Sequence, residues 1–489
     1  MFNRFVTSRL FVSIFFYVSF LFADTILASE SSLSGLRPNI VLFLADDQSK
    51  LDHSAYGNQD VPTSVTQAFS RDALVFEKAY TGQAICAPSR SILFTGMYPL
   101  KNGCYINHTA IRPGLKTLPA YLRELGYDVL LIGKSHIKPM DQFPWNEWMQ
   151  SIKKEGYPRP AIPIDKVDDY LANNNKPFCL IFASEYPHGP YFKETRFDPS
   201  SINLYPFQDD NSYNRNRFSR YYASIEEKEN EFSDVLKLID KHGLNKKTIV
   251  FYADDHGMAR GKFTVYDSGL NVAFMVRWPG KIIPKRTDAL ISFVDFLPSI
   301  IDLAGGDFKG DCNFDGKSFL GVLSGNSDFH HKFVFGVAVN QGIQNRHIFP
   351  QRSISDGRYR YIYSFNSIDN LKKLKSLNDD RLYFLRFGAN KRSGVPIEEL
   401  YDTKNDPYEL DNLIGKIGMK KVKNNLKLEL FNWMKSQGDY LNLSNSISPI
   451  FKVWRHNLDE QAEEFNYKIA SKRVGVLKNK RINPHNYGK

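Results

Sequence analysis

The sequence predicts an α/β chain. The expected core is a doubly wound, mixed but mostly parallel sheet with helices on both faces, followed by a smaller C-terminal α+β domain with an antiparallel sheet. Three observations predict it. Short apolar runs rich in Val, Ile and Leu recur at residues 39–45 (NIVLFLA), 128–132 (DVLLI), 178–183 (FCLIFA) and 248–253 (TIVFYA). Such runs suit strands buried on both faces of a parallel sheet. Helix-period patterns lie between them, at 117–125 after Pro113-Gly114 and at 222–241 with Ile225, Phe232, Val235, Leu236 and Ile239 on one face; this alternation is the βα signature. Beyond about residue 320 the texture changes, and 353–363 (SISDGRYRYIY) alternates polar and aromatic residues as a half-exposed antiparallel strand does.

Taken in order, the chain opens with Arg4 and Arg9 ahead of an uncharged run at 10–22, then small residues at Ala23, Ala28 and Ser29. That reads as a secretory signal peptide over 1–29, with the mature chain starting between Asp24 and Ser31. The run is short of the roughly 20 residues a membrane span needs, so no stable span is expected. The four strands and their helices then fill a catalytic domain over 30–325. A C-terminal subdomain is expected over 326–469, with 371–381 charged and helical or looped, and a basic tail over 470–489. The 489-residue chain is 42% hydrophobic and 24% charged, which argues against a disordered, collagen-like or multi-span membrane protein. Four cysteines exclude a dense disulfide scaffold. The net charge is +11, and the tail holds six basic residues and no acids. The body is therefore nearly balanced, and charge is no argument for nucleic acid. The tail is expected to help hold the protein on a polyanionic glycan.

Each of the four strands ends in chemically capable residues: Asp46-Asp47, Gly133-Lys134-Ser135-His136, Glu185 to His188, and Asp254-Asp255-His256. Ligands of open parallel sheets bind at the carboxyl ends of the strands. One such cluster is often a solvated loop; four in succession point to a site. A loop entering a helix is expected at Cys86-Ala87-Pro88-Ser89-Arg90. A helix N-terminus favours an anion and activates the group placed there, and Pro88 suits a first helical turn.

These residues match the signature Cys-x-Pro-Ser-Arg followed by Thr-Gly, here Thr95-Gly96. The chain resembles the type I sulfatases of the alkaline-phosphatase superfamily. Further segments follow the family order: 39–48 (NIVLFLADDQ), 133–137 (GKSHI), 186–191 (YPHGPY), 253–257 (ADDHG), 261–269 (GKFTVYDSG), 276–280 (VRWPG) and 401–411 (YDTKNDPYELD). Within the family, 96–103 (GMYPLKNG), 133–139 (GKSHIKP) and 262–266 (KFTVY) look most like the sulfamidase, or heparan N-sulfatase-like, branch.

The resemblance implies that Cys86 is oxidised to formylglycine by a sulfatase-maturing enzyme. The hydrated aldehyde would attack sulfur, and collapse of the sulfated hemiacetal would release sulfate. Asp46, Asp47, Asp255 and His256, with a formylglycine oxygen, are the implied ligands of one calcium ion; Asp254 is the alternative to Asp255. Arg90 and Lys134 would hold the hydrate. His136 would take a proton as the hemiacetal collapses. His188 and Lys262 would contact sulfate and protonate the leaving group. The implied substrate is a sulfated oligo- or polysaccharide, cut in a periplasmic or secreted setting in a bacterium, lysosomal or extracellular in a eukaryote. A formylglycine-dependent phosphonate or phosphoester hydrolase is the alternative.

Other residues carry weaker expectations. Arg352, with His347 nearby, is a candidate for a substrate carboxylate or second sulfate; a plain surface arginine is the competing reading. Cys179, inside an apolar strand, is expected to be a buried hydrophobe, and Cys104, Cys179 and Cys312 allow at most one disulfide. Asn107-His108-Thr109 and Asn442-Leu443-Ser444 are glycosylation sequons if the source is eukaryotic.

Overall fold

The structure, a computed structural model, describes residues 33–258, 262–307, 313–339, 349–365, 367–376, 395–439 and 441, with two short strands at Phe451–Lys452 and Glu464–Phe465. The expected signal peptide, the basic tail, His347, Cys312 and the second sequon lie outside the described residues.

A nine-stranded sheet forms the centre. In chain order its strands are β1 (Asn39–Asp46), β2 (Leu74–Tyr80), β3 (Asp128–Gly133), β4 (Glu147–Met149), β5 (Phe178–Pro187), β6 (Thr248–Asp254), β7 (Asn271–Arg277), β8 (Lys285–Thr287) and β9 (Ile291–Ser292). Their spatial order is β4-β3-β5-β1-β6-β7-β2-β8, with β9 also on β2. Every pairing is parallel except the two made by β7, which runs against both β6 and β2.

The apolar runs are explained by two cores, one on each face. Side chains alternate along a strand. On β1, Ile40, Leu42 and Leu44 enter one core, while Val41, Phe43 and Ala45 enter the other. The first face is covered by helices Cys86–Thr95, Leu118–Glu124 and Phe296–Leu303. The second lies under Ser64–Arg71, Ile164–Asn173 and the long helix Ser212–Lys241, through Phe69, Val167, Leu171, Phe232, Val235 and Ile239. Cys179 sits fully buried on β5, as its apolar neighbours require.

A separate four-stranded antiparallel sheet follows: β10 (Val334–Ala338), β11 (Gln351–Ser355), β12 (Tyr359–Ser364) and β13 (Glu398–Asp402), paired in that order. Helix Lys420–Ser436 packs on it through Leu426, Leu430 and Met434, and Trp433 stacks on Phe335 with ring centroids 4.5 Å apart. The single strand expected over 353–363 is in fact a hairpin. Asp356 accepts from the backbone N–H of Arg358 and Tyr359 at 2.9 and 2.7 Å, and Gly357 takes φ +86°, so the chain reverses where the polar-aromatic alternation runs on unbroken. The charged segment after it is helical over Ile368–Ser376.

The expectation for Arg352 is corrected here. It is neither a ligand for substrate nor a surface residue. It is fully buried on β11, with Nε and Nη2 donating to Asp439 at 2.6 and 3.1 Å and Nη1 donating to the carbonyls of Ala338 and Gln351. A strand position facing the helix above it leaves an arginine no route to solvent, so it is matched internally. The 401–411 motif also has a mechanical role. Glu409 accepts from the backbone N–H of Asp267 at 2.7 Å and pairs with buried Arg360 at 3.3 Å, tying the small sheet to the loop that enters β7.

Candidate active site

β3, β5, β1 and β6 are neighbours and all parallel, so their carboxyl ends open on one edge. That edge gathers Lys134 and His136, His188, Asp46 and Asp47, and Asp255 and His256. The chain turns sharply at several of these points. Asp47 has φ +67° and His136 φ +50°, the left-handed region that costs a non-glycine residue energy and clusters at functional sites. Gly133 has no side chain to spare: a Cβ there would lie 2.3 Å from the Ala183 carbonyl, and that closeness lets the Lys134 N–H bond the same oxygen at 2.9 Å. Two further clips close the acidic edge. The Asp47 N–H donates to Asp255 Oδ1 at 3.1 Å, and the Asp255 N–H donates to the Ala45 carbonyl at 2.9 Å.

Cys86 faces this edge as the first residue of its helix, following an extended Ile85. Its Sγ lies 3.5 Å from Asp46 Oδ1, 3.8 Å from Asp47 Oδ1 and 3.3 Å from His256 Nε2. One turn on, Arg90 is 1% exposed and spans two acids, with Nη2 3.2 Å from Asp255 Oδ2 and 3.7 Å from Asp46 Oδ1. Lys134 bonds Asp46 Oδ2. Lys262 bonds both Asp47 oxygens, at 2.7 and 2.5 Å, and His188 Nε2 lies 3.5 Å from Asp47 Oδ2. Asp254 points elsewhere. It receives His53 Nε2 at 2.9 Å and Tyr252 OH at 3.0 Å, which leaves Asp255 as the acid that faces the cluster.

The electrostatics follow from burial against charge. Burial pushes Asp46 up, but Lys134 and Arg90 outweigh it and hold the carboxyl well below its usual range. For Cys86, burial raises the thiol pKa while Lys134 and Lys262 bring it below its ordinary value. Burial drives Asp255 up against the pull of His256. It pulls His256 down, yet Asp255, Cys86 and Asp47 lift that imidazole to about 10. The cluster therefore keeps a proton among its acids, where a cation would be at home. Burial, with Lys134 and Arg90 nearby, keeps His136 well below the ordinary histidine value.

Two residues of the site were not legible as such. His108 Nδ1 lies 2.8 Å from His136 Nε2, and Asn107 bonds both the Ala87 N–H and His108. In the sequence they are part of a sequon, and no spacing or composition marks them further. Asn107 spends its amide inside the site.

Residues 38–306 match the family model described as Sulfatase. The chain belongs to the sulfatase family. An ulvan-active sulfatase from Formosa agariphila is 44% identical over 423 residues, covering 86% of this chain and 84% of that protein. Among solved structures, a complex with the substrate D-glucosamine-2-N,6-O-disulfate aligns with TM-score 0.66 at 18% identity, covering 83% of this chain and 99% of that one. A phosphonate monoester hydrolase of Agrobacterium radiobacter aligns with TM-score 0.64 at 17% identity, covering 82% and 96%. At such identities the structural likenesses speak for the fold. The sulfatase is a sulfuric ester hydrolase. Among the described residues, no helix is long and apolar enough to cross a membrane.

Proposed function

We propose that this sulfatase is exported and removes sulfate ester groups from a sulfated polysaccharide of the ulvan kind, using Cys86 converted to formylglycine and one calcium ion. The observation that carries the reading is the convergence of three buried carboxylates, Asp46, Asp47 and Asp255, on Cys86 at a helix N-terminus, with Arg90, Lys134 and Lys262 around them. The substrate class rests on the 44% identical ulvan-active relative.

The donor set fits a hard divalent ion. Carboxylate oxygens suit calcium, and the proton that the acids hold on His256 is the charge a cation would replace. Asp46, Asp47, Asp255 and His256 would hold it, and it would polarise the sulfate and favour an ionised oxygen nucleophile. The Cys86 sulfur stands in for the formylglycine oxygens. Arg90 from the helix and Lys134 from the end of β3 then orient the nucleophile. Lys262 and His188, both against Asp47, bind sulfate oxygens and supply the proton the leaving oxygen needs. His136 contacts the same oxygens from the segment after β3. The 133–139 element supports a place near the sulfamidase-like branch, which sulfamate turnover tests.

Peptide mass spectrometry across Cys86, in a host that modifies such motifs, should show conversion of thiol to aldehyde. The converted enzyme should release sulfate from ulvan oligosaccharides. Turnover of a phosphonate monoester without any sulfate release would overturn the reading in favour of the phosphorus chemistry.

A further inference from the structure

We propose that Asn107 and His108 are positioning residues that hold His136 as the neutral tautomer with its proton on Nδ1, so that it offers an N–H donor to the reacting oxygens. The proposal rests on Cys86 being the reaction centre. It follows from a hydrogen-bond chain whose direction is set at one end. The Ala87 backbone N–H, next to Cys86, meets Asn107 Oδ1 at 3.3 Å. A backbone N–H only donates, so this end of the amide is the oxygen. The amide nitrogen Nδ2 is thereby left facing His108 Nε2, at 3.1 Å. It too only donates, so His108 Nε2 is a lone pair and neutral His108 carries its proton on Nδ1.

That Nδ1 is 2.8 Å from His136 Nε2, so His108 donates and His136 accepts. Neutral His136 then holds its own proton on Nδ1. This atom is buried and has no hydrogen-bond partner among the described residues, so its N–H is left for a ligand to satisfy. The two rings lie 4.6 Å apart at 35°, and both residues adopt left-handed backbones, φ +67° at His108 and +50° at His136. Two such turns at adjoining imidazoles mark a geometry held by its surroundings. The chain starts on the same helical turn as Cys86, so nucleophile and imidazole share one reference point.

The consequence narrows the role inferred from resemblance. In this tautomer His136 gives a hydrogen bond to an oxygen of the nucleophile or of sulfate. It cannot take a proton at Nδ1 unless the whole chain reverses.

The test reads the tautomer itself. In full-length, calcium-supplemented protein labelled with 15N-histidine, two-bond N–H couplings should report the Nδ1–H form for both His108 and His136. Asn107→Asp replaces the amide by a group that only accepts. It should reverse the chain and move both rings to the Nε2–H form. His108→Phe should leave His136 a mixture of tautomers and lower kcat about tenfold with KM little changed. His108→Gln, whose amide still donates, should restore the single tautomer. An Nε2–H His136 in the wild type, or an unchanged tautomer in the Asn107→Asp variant, overturns the proposal. Sulfate release from the same wild-type sample is scored separately: its absence alongside the Nδ1–H form would defeat the functional reading and leave the tautomer standing.

Discussion

Two regions of this sulfatase bury arginines against acids, and they do so differently. In the small sheet, Arg352 makes a two-pronged bond to Asp439, and its remaining N–H groups reach two carbonyls. At the edge of the large sheet, Arg90 is as buried, yet it is stretched between Asp46 and Asp255, and its Nη2 lacks a good hydrogen bond. The first is a closed account of charge and belongs to folding. The second is a shared, incompletely satisfied cluster of three acids around a reactive side chain. Functional sites keep such tension because a ligand completes them.

The contrast breaks most directly at Cys86. Cys86→Ala should lower sulfate release by at least about 10³-fold while thermal unfolding stays within a few degrees of the wild type. A comparable loss of stability would make the edge a folding element instead. Arg352→Met is the mirror experiment. It strands a buried carboxylate at Asp439 and should cost about 3–5 kcal/mol in chemical denaturation, with kcat of the folded fraction unchanged. The double change Arg352→Met with Asp439→Leu should recover most of that loss.

A buried acid with no ion pair among the described residues sharpens the point. Glu231 accepts from the Ile162 N–H and from the Ser184 hydroxyl, and burial pushes its carboxyl up to about 8. The folded chain then binds a proton that the unfolded chain releases near pH 4.5. Stability should therefore fall as pH rises through roughly 4.5–8 and level off above. Glu231→Gln keeps both partners, should flatten that slope, and should stabilise the protein by about 2–3 kcal/mol at pH 7. An unchanged slope would show that this acid already ionises freely. Smallest of all, calcium at tenfold its dissociation constant should stabilise the wild type by about 1.4 kcal/mol and do nothing for Asp46→Asn with Asp255→Asn. Equal stabilisation of both proteins would place the ion elsewhere.

Much of the fold was legible because buried parallel strands admit little but Val, Ile, Leu and Phe. β1, β3, β5 and β6 therefore stand out, with ends displaced by only one to four residues. β2 did not, since Glu77 and Lys78 interrupt its apolar run at half-buried positions. β7 has the right texture, but composition carries no direction, and its reversal comes from its pairing with β6 and β2. The long helix begins at Ser212, ten residues before its expected start. Its first turns are polar and are capped by the Asn211 side chain on the Asn214 N–H rather than by apolar periodicity.

By itself, the sequence determined which chemical groups stand at the strand ends, since four apolar runs each finish in acids, histidines or a lysine and the helix begins at Cys86. Only the tertiary structure decided where they face. The positive φ at Asp47 and the clip from its N–H to Asp255 turn that acid inward, while Asp254, one residue earlier than Asp255, is spent on His53. Arg352 went to Asp439, and Asn107 and His108 came to His136, because partners 87 and 28 residues apart meet only once the sheets are packed. A residue's type travels with the chain; the direction of its side chain is set by neighbours the chain brings from elsewhere.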